Sequence, residues 1–169
     1  YLLKHHASEH PVALQLGGSN PKELAKAAEL GEQACFDEIN LNVGCPSDRV
    51  QSGKFGASLM ADPQIVSNCV SAIKQSTRLP VTVKCRIGVD DKDTHADLVN
   101  FINVVATGGC ELFVIHARKA YLQGLSPKEN REIPPLNYER VFAVKQEFPE
   151  LNFIINGGIT SINEALSLL

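Results

Sequence analysis

The stretch that decides the fold is INLNVGCPSDR, residues 39–49. A short apolar strand runs here into Gly44-Cys45-Pro46 and then into a polar loop that extends to Ser58. Because Gly44 permits a positive φ and Pro46 fixes its own φ, the sequence predicts a rigid turn around Cys45 at the carboxyl end of a strand. Parallel α/β sheets and barrels carry their chemistry at that end. Cys45 is therefore a candidate nucleophile or proton donor, although a free cysteine is also a common buried filler.

The composition is that of a globular protein, with 169 residues, 44% hydrophobic residues and a net charge of −3. No apolar run approaches the roughly 18 residues of a membrane helix and no signal segment opens the chain, so we expect a cytoplasmic protein. Five cysteines without CxxC or Cys/His ligand spacing favour reduced thiols and predict no metal site. The net charge gives no sign of nucleic acid binding, so any RNA contact needs a local basic patch.

Strand and helix patterns alternate along the rest of the chain. Strand patterns occur at 12–16, 36–42, 80–85, 112–116 and 152–156. Helix patterns occur at 22–30, after Asp62-Pro63, at 94–106, at 138–147, and from Thr160 or Ser161 to the C-terminus. The strand cores VALQL, VTVK and LFVIH read as apolar on both faces, which is typical of a buried parallel sheet.

Five consecutive βα units predict either an α/β barrel or a doubly wound sheet. The barrel is favoured because the strands end in polar residues that would converge on one mouth, and because no GxGxxG follows the first strand. A (β/α)8 TIM barrel has eight strands and about 250 residues. We therefore expect residues 1–169 to supply about five βα units, with further strands missing before Val12 and after Leu169.

Polar side chains at the strand ends are candidate binding groups, although each could also be an ordinary structural residue. Gln15 can pair with the polar edge of a flat heterocycle, because an amide both donates and accepts. Lys84 interrupts an apolar strand and suits an anionic cofactor atom. Arg86 lies two residues further on the same face and implies an anionic ligand or a nearby carboxylate.

The last two strands also end in groups that suit an anion. His116 is followed by the basic pair Arg118 and Lys119, which favours anion binding over a purely structural histidine. Residues 156–158, Asn-Gly-Gly, precede a capped helix and resemble a phosphate cradle in which backbone N–H groups approach the ligand.

A basic segment, residues 118–131, lies between the fourth strand and the next helix. Its cations are Arg118, Lys119, Lys128 and Arg131. A solvated loop would explain them, but so would a surface for RNA phosphates at the mouth of the site.

Together these segments resemble the tRNA-dihydrouridine synthases, flavoenzymes that reduce uridine in tRNA. The matching segments are QLGGSNP (15–21), EINLNVGCPSDRVQSGKFGASLM (38–60), VTVKCRIG (81–88), HARKA (116–120), LSPKENREIPPL (125–136) and INGGI (155–159). The runs NVGCPSDRV and SPKENREIPPL are similar to the A-type bacterial branch of that family, which acts in the D-loop of tRNA at positions 20 and 20a.

The resemblance implies a barrel that binds FMN over its mouth, takes electrons from NADPH, and uses Cys45 to give a proton to C5 of uracil. It implies that the flavin is held by Gln15, Lys84 and His116, and its phosphate by Asn156, Gly157 and Gly158. It implies that tRNA meets Asn42, Lys128 and Arg131. The resemblance also implies two earlier strands, a last strand with the rest of the phosphate site, and a C-terminal helical RNA-binding domain, none of which is in this sequence. We therefore expect this chain alone to bind FMN weakly and to be inactive.

Two other functions stay open at this point. One is an FMN-dependent TIM-barrel oxidoreductase that acts on a small molecule, which the basic segment and the match at residues 125–136 disfavour. The other is a non-catalytic RNA-binding or scaffold remnant, which the retention of Cys45, Lys84 and His116 disfavours.

Overall fold

The computed structural model describes residues 3–47, 53 and 55–169, which form one parallel sheet flanked by helices. The strands are β1 (Ala13–Leu16), β2 (Glu38–Val43), β3 (Val81–Arg86), β4 (Leu112–His116) and β5 (Asn152–Asn156). Their order in the sheet, β1-β2-β3-β4-β5, is also their order in the chain, and every pair is parallel. A doubly wound sheet would reverse its order at a switch point. The unbroken order is that of a barrel wall, and the predicted α/β barrel class is confirmed.

Helices follow the strands, and polar side chains begin most of them. They are α1 (Pro21–Gln33), α2 (Pro63–Ser76), α3 (His95–Thr107), α4 (Glu129–Glu132), α5 (Tyr138–Glu147) and α6 (Ile162–Ser167). Asn20, Asp62, Thr94 and Ser161 each accept a hydrogen bond from a backbone N–H of the first turn. These caps offset the unpaired N–H groups at a helix start, as the sequence predicts. Among the described helices, none combines the length and apolar character needed to cross a bilayer.

Two predicted segments differ from the structure. The last helix ends at Ser167 instead of the C-terminus, because the Leu168 N–H turns back to the Ala165 carbonyl and closes the last turn. The predicted loop up to Ser58 ends early in a 3-10 helix, Gly56–Ala61, whose apolar side chains are buried in the core. The remainder of that loop, residues 48–52 and 54, lies outside the described residues.

In β2 and β3 only one face of the sheet is apolar, so the prediction of two apolar faces for VTVK is wrong. In β4, Leu112 and Val114 make the second face apolar as well, as predicted for LFVIH. The residues packed toward the helices are Ile39, Leu41, Val43, Val81, Val83, Cys85, Phe113 and Ile115. The residues that alternate with them on β2 and β3 are Glu38, Asn40, Asn42, Thr82, Lys84 and Arg86. Since successive side chains of a strand point to opposite faces, this polar set faces the interior of the barrel. The core therefore lies between sheet and helices, and the barrel interior carries hydrogen bonds.

Candidate active site

A cleft of about 410 Å³ opens at the carboxyl ends of the strands. It brings together ten of the residues predicted for the site: Gln15, Asn42, Cys45, Lys84, Arg86, His116, Arg131, Asn156, Gly157 and Gly158. Gly44, Pro46 and Pro127 complete its lining. Every strand contributes at least one polar group, because parallel strands all present their carboxyl ends to the same edge.

The turn after β2 holds Cys45 in the cleft by side-chain hydrogen bonds. Asn42 Oδ1 accepts from the N–H of Gly44 at 3.1 Å and from the N–H of Cys45 at 3.0 Å. The Cys45 carbonyl accepts from Ala57 N–H at 2.9 Å. The half-buried thiol lies 3.4 Å from Ser47 Oγ.

The part of the predicted rigidity that was assigned to a positive φ at Gly44 is wrong. Gly44 does not adopt a positive φ, and a Cβ placed on it would lie 3.4 Å or more from the backbone of Cys85, which is an ordinary contact. The turn is fixed instead by Asn42 and by Arg86, whose Nε donates to the Gly44 carbonyl at 3.2 Å.

Arg86 joins the β2 turn to the segment after β4. It is only 4% exposed, and its Nη1 donates to the carbonyls of Asn130 at 2.8 Å and of Lys119 at 3.4 Å. Burial lowers the pKa of Arg86 to about 10, which leaves the guanidinium charged at neutral pH. Arg86 thus places a buried positive charge in the wall of the cleft while its hydrogen bonds fix the surrounding loops.

His116 and Lys84 are both shifted toward their neutral forms. Burial, and then the charges of Arg86 and Lys84, lower the pKa of His116 to about 3. The imidazole is therefore neutral at physiological pH and offers one N–H donor and one acceptor nitrogen. Burial, and then Arg86, lower the pKa of Lys84 as well.

The turn after β5 depends on two glycines in the left-handed region. Gly157 has φ +108° and Gly158 has φ +71°. A Cβ on Gly157 would lie 2.2 Å from the His116 ring, and one on Gly158 would lie 2.4 Å from Leu136. Tyr138 Oη donates to the Gly157 carbonyl at 2.5 Å and holds the turn from the helix side. Only glycine satisfies both the backbone conformation and the close packing here.

The cleft is electropositive. Its lining carries the cations Lys84, Arg86 and Arg131, and none of its described residues is Asp or Glu. Beside it, Arg118 Nε is buried without a hydrogen-bond partner. A buried polar group that lacks a partner is costly, so this arrangement favours an anionic ligand such as a phosphate.

Three basic residues predicted for the site do not line the cleft. Lys119 forms an ion pair with Asp93 at 3.1 Å and lies over the ring of Tyr121. Arg118 donates from Nη1 to the Pro134 carbonyl. Lys128 is exposed on the basic segment. Asp93 lies in a different loop from Lys119. Nothing in the sequence indicates that the two residues form an ion pair.

Other residues around the site were missed by the sequence reasoning. Asn40 and Thr82 form hydrogen bonds inside the barrel, and Asn130 and Tyr138 fix the neighbouring loops. The alternation Glu38-x-Asn40-x-Asn42 has the period of a strand with one polar face, and it could have indicated the polar interior. Nothing local to Asn130 or Tyr138 marks them.

Comparison with known proteins gives consistent matches over nearly the whole chain. The family model described as "Dihydrouridine synthase (Dus)" matches residues 2–169. The chain is 61% identical over 163 residues to the tRNA-dihydrouridine(20/20a) synthase of Shewanella oneidensis, covering 96% of this chain and 49% of the relative. It is 60% identical over 164 residues to the enzyme of the same name from Vibrio parahaemolyticus, covering 96% of this chain and 50% of the relative. The chain thus spans about half the length of the curated relatives it matches.

Solved structures support the fold independently of sequence. A candidate lyase/mutase from Burkholderia cenocepacia superposes with a TM-score of 0.58 at 12% identity, covering 89% of this chain and 48% of that structure. At so low an identity the likeness bears on the barrel-type architecture alone.

Proposed function

The chain belongs to the dihydrouridine synthase family, and on that premise we propose that the protein reduces uridine to 5,6-dihydrouridine in the D-loop of tRNA, at positions 20 and 20a. FMN is the proposed cofactor and NADPH the reductant. The observation that carries the proposal is the cleft itself, which combines a thiol on a rigid turn with amides, cations and a glycine turn. We also propose that residues 1–169 belong to the FMN-binding barrel domain and that the enzyme works in the cytoplasm, where tRNA and NADPH are available.

The residues of the cleft suit FMN. Its phosphate would be held at the turn of Asn156, Gly157 and Gly158, and Lys84 would contact the flavin itself. Neutral His116 can donate to a phosphate or ring oxygen, and Gln15 offers an amide edge to the flat ring system. When bound, the flavin supplies the hydride that reduces the pyrimidine.

Cys45 supplies the proton of the reaction in this proposal. Addition across the C5=C6 bond of uracil places a hydride on C6 and a proton on C5, and the Cys45 Sγ–H bond breaks as the C5–H bond forms. Among the described lining residues, Cys45 carries the one thiol, and the neutral His116 is not in its acidic form. The hydrogen bond from the Cys45 N–H to the Asn42 side chain holds the residue that carries this thiol in position.

The tRNA must present its uridine out of the helical stack, because a stacked base cannot enter a cleft. Lys128 and Arg131 stand on the basic segment at the rim, and we assign them to backbone phosphates. Asn42 at the floor is assigned to the flipped nucleotide. Arg118 and Lys119 are assigned a weaker, electrostatic part because their heads are already bonded within the protein.

The test uses a chimera in which this chain replaces the matching half of the Shewanella oneidensis relative. The chimera is incubated with FMN, NADPH and tRNA that lacks dihydrouridine, and nucleosides are analysed by mass spectrometry. We expect a yellow protein and uridines at positions 20 and 20a that gain two hydrogen atoms. A yellow protein that reduces small molecules but not tRNA would indicate a small-molecule oxidoreductase, and a colourless protein would indicate a scaffold.

A further inference from the structure

We propose that Glu38, at the opposite end of the barrel from the cleft, is a positioning residue that orients the Cys45 turn through a one-way chain of hydrogen bonds. Glu38 lies at the amino end of β2 and borders a depression together with Thr82, Leu112 and Asn152. The inference deepens the proposed function and rests on it only for the role of Cys45. The hydrogen bonds themselves do not depend on any ligand.

The upper part of the chain runs from the thiol turn across to β1. Cys45 N–H donates to Asn42 Oδ1 at 3.0 Å. Asn42 Nδ2 donates to Gln15 Oε1 at 3.0 Å, and Gln15 Nε2 donates to Asn40 Oδ1 at 2.8 Å. Each amide therefore accepts from the side of the cleft and donates toward the barrel interior.

The lower part of the chain ends on the carboxylate. Asn40 Nδ2 donates to Thr82 Oγ1 at 2.7 Å, and Thr82 Oγ1 donates to Glu38 Oε1 at 2.5 Å. Asn40 is 6% exposed and Thr82 is 2% exposed, so water does not compete for these bonds. All five bonds point the same way, from the turn to Glu38.

The carboxylate gives the chain its direction. An ionised Glu38 can only accept, so the Thr82 hydroxyl must donate to it and can then only accept from Asn40. That fixes which way the Asn40 amide faces, and each amide in turn fixes the next. This orientation agrees with the other end of the hydrogen-bond chain, where the N–H groups of Gly44 and Cys45 can only donate and Asn42 presents its oxygen to them.

The alternative is that these residues merely satisfy each other and add stability to the barrel. The two explanations differ in which backbone amides lose protection when a hydrogen bond of this series is removed. A merely structural network lowers protection of backbone amides throughout the sheet, whereas a positioning chain acts on Gly44, Cys45 and the amides of Gln15 and Asn42 while the strands stay protected.

The test is amide hydrogen exchange and side-chain amide NMR on this chain, compared across four variants. Thr82→Val removes the hydroxyl at nearly constant shape, and Thr82→Ser retains it. In Glu38→Gln, the new side-chain amide can present either its oxygen or its NH₂ group to Thr82, so Thr82 no longer has to donate to residue 38. Glu111→Gln is the matched control, because Glu111 borders the same depression with a side chain that is 80% exposed and has no bond to the chain.

We expect Thr82→Val to raise exchange at Gly44 and Cys45 about tenfold relative to the β3 amides, in line with one lost hydrogen bond. Glu38→Gln should split or shift the Gln15 and Asn42 side-chain amide signals, and Thr82→Ser should restore the parent pattern. The proposal is overturned if Thr82→Val and Glu38→Gln match Glu111→Gln at these signals, or if exchange rises equally across the sheet. If Thr82→Val does not fold, Glu38→Gln alone decides. No flavin or RNA is present, so failure here leaves the proposed function untouched.

Discussion

Two turns face each other across the cleft, and they reach the same rigidity by opposite means. The turn after β2 has ordinary backbone angles and is held by the side chains of Asn42 and Arg86. The turn after β5 has two residues in the left-handed region and is shaped by the absence of side chains at Gly157 and Gly158. The first turn brings the thiol of Cys45 to the cleft, whereas the second brings the backbone of two glycines to it.

The difference shows what each turn can tolerate. A turn built on side-chain hydrogen bonds loses about 0.5–1.5 kcal/mol for each bond removed, so it weakens in steps. A turn that requires glycine does not weaken in such steps, because adding even one Cβ forces a neighbouring side chain to move. Substitutions at the two turns should therefore fail by different amounts and in different ways.

The largest expected effect is the loss of turnover on tRNA when Cys45, the thiol on the β2 turn, is removed. In the chimera, Cys45→Ala should lower turnover on tRNA by about 10²–10⁴-fold, the usual contribution of a positioned acid, while FMN binding stays at the parental level. Single-turnover formation of dihydrouridine measures the first quantity, and flavin absorbance measures the second. Cys35→Gly is the control, since it removes an exposed thiol at φ +64°, a conformation that glycine adopts readily. Parental turnover by Cys45→Ala would remove this residue from the mechanism.

The next effect tests the β5 turn. Gly157→Ala combines an unfavourable φ with a Cβ 2.2 Å from the His116 ring, and it should cost about 2–4 kcal/mol of unfolding free energy. Gly124→Ala is the matched control, because Gly124 has φ +84° but no atom within 4 Å of its Cβ position. Urea unfolding compares the two. Equal losses at both sites would mean that φ alone, and not contact with His116, requires glycine.

The third effect is a pH dependence that comes from His116, the neighbour of the β5 turn. Its pKa in the folded protein is lowered from 6.5 to about 3, so below pH 6.5 the unfolded chain takes up a proton that the folded protein does not. Stability should therefore fall as the pH falls through the window from about 6.5 to 3, with a contribution of about 1.4 kcal/mol per pH unit. Urea midpoints measured from pH 7 to pH 5 should show a flatter slope for His116→Gln. Parallel slopes would mean that the histidine titrates normally.

The fourth effect tests the contribution of Asn42, whose side chain accepts hydrogen bonds from the β2 turn. Asn42→Ala removes the acceptor of two backbone N–H groups and should cost about 1–2 kcal/mol. Asn42→Asp keeps an oxygen toward Gly44 and Cys45 but loses the bond to Gln15, so it should retain most of that stability. Thermal unfolding of the pair separates the two bonds. Both variants lose the bond to Gln15, so an equal loss in Asn42→Asp and Asn42→Ala would show that this link, and not the acceptor oxygen, dominates.

The smallest effect concerns Tyr138, a side chain that supports the β5 turn. Tyr138→Phe removes the hydrogen bond to the Gly157 carbonyl and should cost about 0.5–1.5 kcal/mol. Chemical denaturation measures it, with Tyr121→Phe as the control. A loss as large as that of Gly157→Ala would make the two turns alike, contrary to the contrast drawn above.

Much of the architecture could be predicted because it depends on local patterns. Strand positions followed from short apolar runs, a helix start followed from Asp62-Pro63, and the gathering of strand ends followed from parallel topology. The composition of the cleft was predictable for the same reason: Gln15 and His116 are far apart in the chain, but they lie near the carboxyl ends of β1 and β4, two strands of one parallel barrel wall.

What could not be predicted depends on partners that are distant in sequence. The conformation of Gly44 is set by Arg86, and the direction of Lys119 is set by Asp93, and neither partner is visible from the local sequence. The polar interior was missed for another reason. VTVK was read as an apolar run, although the period-two alternation of its residues Thr82 and Lys84 was present in the sequence.

The lining of the cleft also has a practical consequence for anyone who handles the protein. The cavity is lined by Lys84, Arg86 and Arg131 and by no described carboxylate, so its positive charge attracts small anions. Inorganic phosphate or sulfate in a buffer competes for the same positive field, and added salt screens it within about 10 Å at 0.1 M. On the proposed function, FMN titrations in phosphate and in a chloride buffer of equal ionic strength should therefore differ, with weaker flavin uptake in phosphate.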